Sequence, residues 1–248
     1  TVVISAELEH ATITGSATLH WRVDDQESWS SQDLVDNGRG ELNSEIPGHP
    51  DGTVIEFYLS TSNGVAERTW PGPVQPSGEQ EANALIQFDN SYDPTAPWVP
   101  GAQPKYRIIM TEDERAELAD IGDNNESPRN EEDSNAEMNC TFIVEDGTGL
   151  ALRYLSSVRN RGASSRNPPP NNFLVKFRSD EDWNGQPSIK FNARYPHSQV
   201  FGSWYFRHGG VETANASAAL LRINGEDLAR SGSNMYGSYA RLESFGSA

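Results

Sequence analysis

Residues 158–192 read VRNRGASSRNPPPNNFLVKFRSDEDWNGQPSIKFN. Arg159, Arg161 and Arg166 surround a small turn that contains Gly162, Ser164 and Ser165, and a proline-rich elbow follows. Next comes an apolar strand carrying Lys176, then a polar loop, then a short strand carrying Lys190. On the first strand, period-two alternation puts Leu174 and Lys176 on one face and Phe173, Val175 and Phe177 on the other. A tight basic turn ahead of a strand-borne lysine suits a polyphosphate. Backbone N–H groups and guanidinium forks take phosphate oxygens, and lysine adds a compact charge. The bland alternative is a solvated basic turn with an edge lysine beside it.

Composition narrows the ligand classes. Thirty-six acidic residues against nineteen basic give a net charge of −17, which repels nucleic acid and anionic membranes. No apolar run approaches the ~20 residues that cross a bilayer. The chain opens at Thr1 without a signal peptide, so the expectation is a mature or trimmed form. The acidity fits an extracellular or cell-surface protein. The single cysteine, Cys140 in MNCTFIV, cannot form an internal disulfide and reads as a packed thiol. His10, His20 and His49 are scattered without metal-ligand spacing, and no metal site is expected.

Working outward, residues 1–70 are a run of short strands with turn signals about every ten residues, which points to an antiparallel sandwich. Residues 71–104 hold seven prolines and read as a stiff linker that includes one apolar strand, ALIQF. From residue 105, YRIIM is a strand, and Thr111 with Glu114 forms a capping box that opens a helix stopping near Gly122. Residues 123–135 read as a polar, acidic loop. A second helix is expected over 197–207, with Val200, Phe201, Trp204 and Phe206 as its apolar face. Gly209 and Gly210 end it, and two strands follow.

The RxRGxSSR turn, the FLVKF strand and GSYARLE at 237–243 together resemble the spore-coat protein H (CotH) kinase family, atypical secreted protein kinases. The IPGHPDGTVIEFYL segment resembles immunoglobulin and fibronectin-III modules. These resemblances imply an immunoglobulin-like β-sandwich at 1–70, the linker at 71–104, and at 105–248 an α+β domain like the N-terminal lobe of an atypical kinase. They also imply ATP and Mg²⁺ in a full-length parent. Arg159, Arg161, Gly162, Ser164, Ser165, Arg166 and Lys176 would then face the nucleotide, with Lys190 and Glu243 in reserve. Asn171 and Asn172 stand where the family usually carries an earlier lysine. No catalytic residue is expected, because the family's catalytic lobe would follow residue 248. The function so implied is ATP-dependent Ser/Thr phosphorylation of an extracellular or surface protein, inactive in this fragment. The alternative is a non-catalytic adhesin, matrix or scaffold protein whose front module binds a polymer or partner.

Overall fold

The computed structural model describes the chain except for residues 8–15, 39, 73–79, 81, 94–95, 122–133, 163–169, 233 and 245–248. Two compact units divide between Tyr92 and Asp93.

The first unit holds β1 (Val2–Glu7), β2 (Ser16–Val23), β3 (Ser30–Asp33), β4 (Val35–Asp36), β5 (Glu41–Ile46), β6 (Val54–Ser62), β7 (Glu67–Trp70) and β8 (Ala84–Gln87). β2 alternates as its sequence requires, burying Ala17 and Leu19, and pairs antiparallel with β6 from Ser16↔Ser62 to Val23↔Ile55. The larger sheet runs β3-β2-β6-β7, with β8 also on β6. β8 is the apolar strand within the proline-rich stretch, so that stretch adds a strand to this sheet. β8 and β2 pair with both edges of the first half of β6, where Val54–Phe57 are all buried, Glu56 included. The Glu56 carboxylate accepts from Arg22 Nε at 2.8 Å and from Asn83 Nδ2 at 2.9 Å, which meets the rule that buried charge must be paired.

The second unit holds β9 (Lys105–Ile109), α1 (Glu112–Ile121), β10 (Met138–Glu145), β11 (Leu150–Asn160), β12 (Phe173–Lys176), β13 (Ser188–Asn192), α2 (Pro196–His208), β14 (Ala216–Ile223), β15 (Glu226–Asp227) and β16 (Tyr239–Glu243). The strand order β14-β16-β13-β12-β11-β10-β9 returns to β14 through a parallel pairing, Leu220↔Lys105 to Ile223↔Ile108. The sheet therefore closes into a seven-stranded mixed barrel. Its interior is filled by side chains, as a barrel this narrow requires. Tyr106 lies within 5.2–5.9 Å of the Phe191, Phe142 and Trp183 rings, and burial pushes its phenol up to about 12. Trp183 plugs the end where β9 begins. α1 follows the other end of β9 and buries Leu118 and Ile121 there. The capping box forms: Glu114 N–H donates to Thr111 Oγ1 at 3.3 Å, and that hydroxyl donates to Glu114 Oε2 at 3.1 Å.

The expected fold class is corrected on both counts. The described residues are 45% strand and 11% helix, with a closed barrel where an α+β kinase-like lobe was expected. The first unit is not an immunoglobulin sandwich. Among the described residues its second sheet is three strands, β1-β5-β4; β1 buries Ile4, β5 buries Ser44 and Ile46, and the two-residue β4 buries none, so it is a small partial sheet rather than the full opposing sheet of an immunoglobulin sandwich.

Candidate anion site on the outer face of the barrel

Alternation sorts the residues of the basic stretch. Val158, Phe173, Val175, Ile189 and Phe191 point into the core. Ser157, Arg159 and Arg161 of the β11 edge, Leu174 and Lys176 of β12, and Ser188, Lys190 and Asn192 of β13 therefore share the outer face. The register aligns Arg159, Leu174 and Lys190 in one row across the three strands. Lys176 lies one row away, opposite Ser157 and Ser188.

Two cation clusters result. In the first, Lys176 donates to Glu137 Oε1, Arg159 Nε stands 3.8 Å from the same oxygen, and Ser157 Oγ donates to Oε2 at 2.8 Å. Burial works to raise the Glu137 carboxyl, but the hydrogen bonds from Lys176 and Ser157 and the charges of Lys176 and Arg159 outweigh it. They hold the group below its usual value.

In the second cluster, Arg161 donates to Asn192 Oδ1. Asn192 Nδ2 donates to Gln199 Oε1 on α2 at 2.6 Å, and Gln199 Nε2 ends the relay on Arg194 O at 2.6 Å. The relay fixes the guanidinium over the mouth of β13. Burial, then the charge of Arg159, push Arg161 below its usual value. Burial, then the charge of Arg161, do the same to Lys190. Among the described residues neither cation has an ion-pair partner. Two half-buried like charges held together without an anion form a site that an anion would relieve.

Gly162 takes φ 117°, a backbone conformation that other residues rarely adopt, at the point where the chain leaves β11. Ser164, Ser165 and Arg166 lie outside the described residues. Glu243 accepts from Gln186 Nε2 at 2.8 Å and from Asn215 N at 3.3 Å, so it ties two loops together and stands apart from the cations. Asn172 spans β11 and β13: its carbonyl accepts Arg161 N at 2.9 Å and its Oδ1 accepts Ala193 N at 2.7 Å. A buried asparagine therefore does backbone bridging in the place of the family's earlier lysine. Cys140 is wholly buried, and burial raises its thiol well above the usual value.

Sequence reasoning missed Glu137 and Asn192. Glu137 follows a run of acidic residues and reads as one more solvated carboxylate. Asn192 is visible only through register, opposite Ala240 and beside the entry of α2. The residues that fit a nucleotide are the cations; no group of three or more His, Cys, Asp or Glu side chains among the described residues is placed to hold Mg²⁺. No helix among them is long and apolar enough to cross a membrane. Searches of protein-family models and of curated proteins return no match to the chain, so the CotH resemblance rests on the quoted residues alone.

Proposed function

We propose that the protein binds the phosphate groups of a nucleotide on the outer face of its barrel, with Arg161 and Lys190 as the primary contacts. The nucleotide is ATP by the CotH resemblance. The observation that carries this reading is the meeting of two half-buried cations, Arg161 held by Asn192 and Lys190 two residues before that asparagine, with no carboxylate paired to either among the described residues, in a chain of net charge −17. The Glu137 carboxylate on Lys176 and Arg159 stands where further phosphate oxygens would bind, as an internal competitor. In the phosphoryl transfer that the resemblance implies, the terminal phosphorus of ATP gains a bond to a Ser/Thr hydroxyl oxygen of a surface protein. The bond to ADP breaks, and the hydroxyl proton passes to a base. The residues named here would hold the phosphates for that reaction only in a full-length parent; the base is not among them.

A second reading, a non-catalytic adhesin or scaffold, is favoured by the same Glu137, because it leaves Lys176 and Arg159 already satisfied. Calorimetric titration separates the two. The nucleotide reading expects ATP and pyrophosphate to bind in the millimolar range, about 4 kcal/mol, and adenosine not to bind. Arg161→Ala and Lys190→Ala should each abolish the heat, while Lys105→Ala, whose ammonium pairs with Glu145 at 3.6 Å, should not. No heat with ATP at several times that concentration would favour the scaffold.

A further inference from the structure

Helix α2 packs inside out. An ordinary surface helix turns its apolar stripe toward the core. α2 instead buries Pro196 and Ser203, and Ser203 Oγ donates to Ala214 O at 2.5 Å. Phe201 is left 64% exposed, Trp204 54%, Tyr205 61% and Phe206 53%. The rings lie against one another: Phe201 and Tyr205 stack at 6.2 Å, Phe201 and Trp204 stand at 6.0 Å, and Trp204 and His208 at 4.4 Å. Tyr236, 62% exposed, extends the patch across His197, its ring 5.3 Å away. Contiguous exposed aromatics on this scale mark a binding surface, and aromatic anchors dominate such surfaces.

Charge selects the occupant. The chain carries almost twice as many acids as bases, yet PHSQVFGSWYFRH contains no Asp or Glu. Arg194 precedes the helix, His197 lies in its first turn, and Arg207 and His208 occupy its last turn. A second copy of the chain would, face to face, oppose these basic ends with the same basic ends. An extended anionic surface such as a bilayer meets the long-range repulsion of the whole −17 chain, whereas a short acidic segment meets mainly the local charge of the helix. We propose that α2 is a docking surface for an acidic peptide segment of a partner protein, one whose apolar anchors pack among Phe201, Trp204 and Tyr205 while its carboxylates meet Arg207 and Arg194. The inference does not rest on the proposed anion binding: Gln199 of α2 joins the Arg161 relay, but the docking face is carried by Phe201, Trp204 and Tyr205.

The probe is a fluorescein-labelled amphipathic peptide of about 16 residues with leucines at i, i+3, i+4 and i+7 and glutamates on the flanks, followed by anisotropy against the whole chain. A matched peptide carries lysine for glutamate. The acidic peptide should bind saturably and lose at least ~10-fold in affinity with Trp204→Ala, Phe201→Ser or Arg207→Glu. All three sites are exposed, so the variants should keep the wild-type melting temperature. The lysine peptide should bind without sensitivity to any of them. Failure of the acidic peptide to bind at about 1 mM, or equal loss for both peptides, overturns the proposal. So does a dimer in sedimentation equilibrium that Trp204→Ala dissolves, which would assign the face to a second copy. Binding to phosphatidylserine vesicles that the same variant abolishes would assign it to lipid and would equally overturn the proposal.

Discussion

Glu137 gathers Lys176, Arg159 and Ser157 on one carboxylate, so it sets how much free positive charge the outer face can offer. Its folded pKa is depressed. The stability it contributes is therefore present above the ordinary carboxylate value and is lost as pH falls through the depressed one. Glu137→Gln should cost about 0.5–1 kcal/mol at neutral pH, the scale of a partly exposed pair. The gap between variant and wild type should close in the acid range, below the ordinary carboxylate value. The same substitution should raise pyrophosphate affinity by about 2–5-fold, because the removed competitor is worth that much. Urea melts across pH and a pyrophosphate titration check the two signs together; a variant that loses both stability and affinity would contradict the competitor role. The cations of this site were legible in the sequence as strand-borne lysines and a basic turn, and alternation puts Lys176 on the face opposite Phe173, Val175 and Phe177. Their pairing was not legible, because it depends on which strands lie side by side.

At the scale of elements, local signals carried furthest where the chain satisfies itself locally. The capping box is one such place. Thr111→Ala should cost about 1 kcal/mol. Glu114 also accepts Asn139 N at 2.9 Å through Oε1 and so ties α1 to β10. Glu114→Ala should therefore cost more than Thr111→Ala, and the two losses should fall short of additive in thermal melts; equal and additive losses would show that the tie to β10 carries no weight. Period-two alternation likewise located β12, and turn signals marked the run of strands in residues 1–70. It could not reveal that β9 and β14 pair in parallel, since that contact joins segments far apart in sequence and leaves no local periodicity. For α2, the apolar positions were legible and their direction was not. A periodic apolar stripe reads as a core face unless small residues elsewhere on the helix offer the sheet a closer approach, as Ser203 does here.

For the whole molecule, barrel closure pairs both edges of the seven-stranded sheet and leaves the two-residue β15 as its outlying strand among the described residues, while the net charge adds self-repulsion to the conformational entropy that opposes compactness. With −17 to accommodate, the melting temperature should rise as NaCl goes from ~10 mM to ~500 mM, where screening shortens from ~30 Å to a few ångströms. A flat or falling curve would mean that the acids are already paired or dispersed. The resemblance in the basic stretch pointed to phosphate chemistry, whereas the fold that carries the stretch could emerge only from closure across the whole second unit. The outer-face site is tested most directly by an NMR titration with pyrophosphate. The site predicts shifts in the Arg161 side-chain Nε–H and in the amides of 159–161 and 188–192, with Lys105 and Glu145 unmoved and the whole response lost in Arg161→Ala. Shifts spread evenly over the surface, or none in these residues at several times millimolar pyrophosphate, would contradict it.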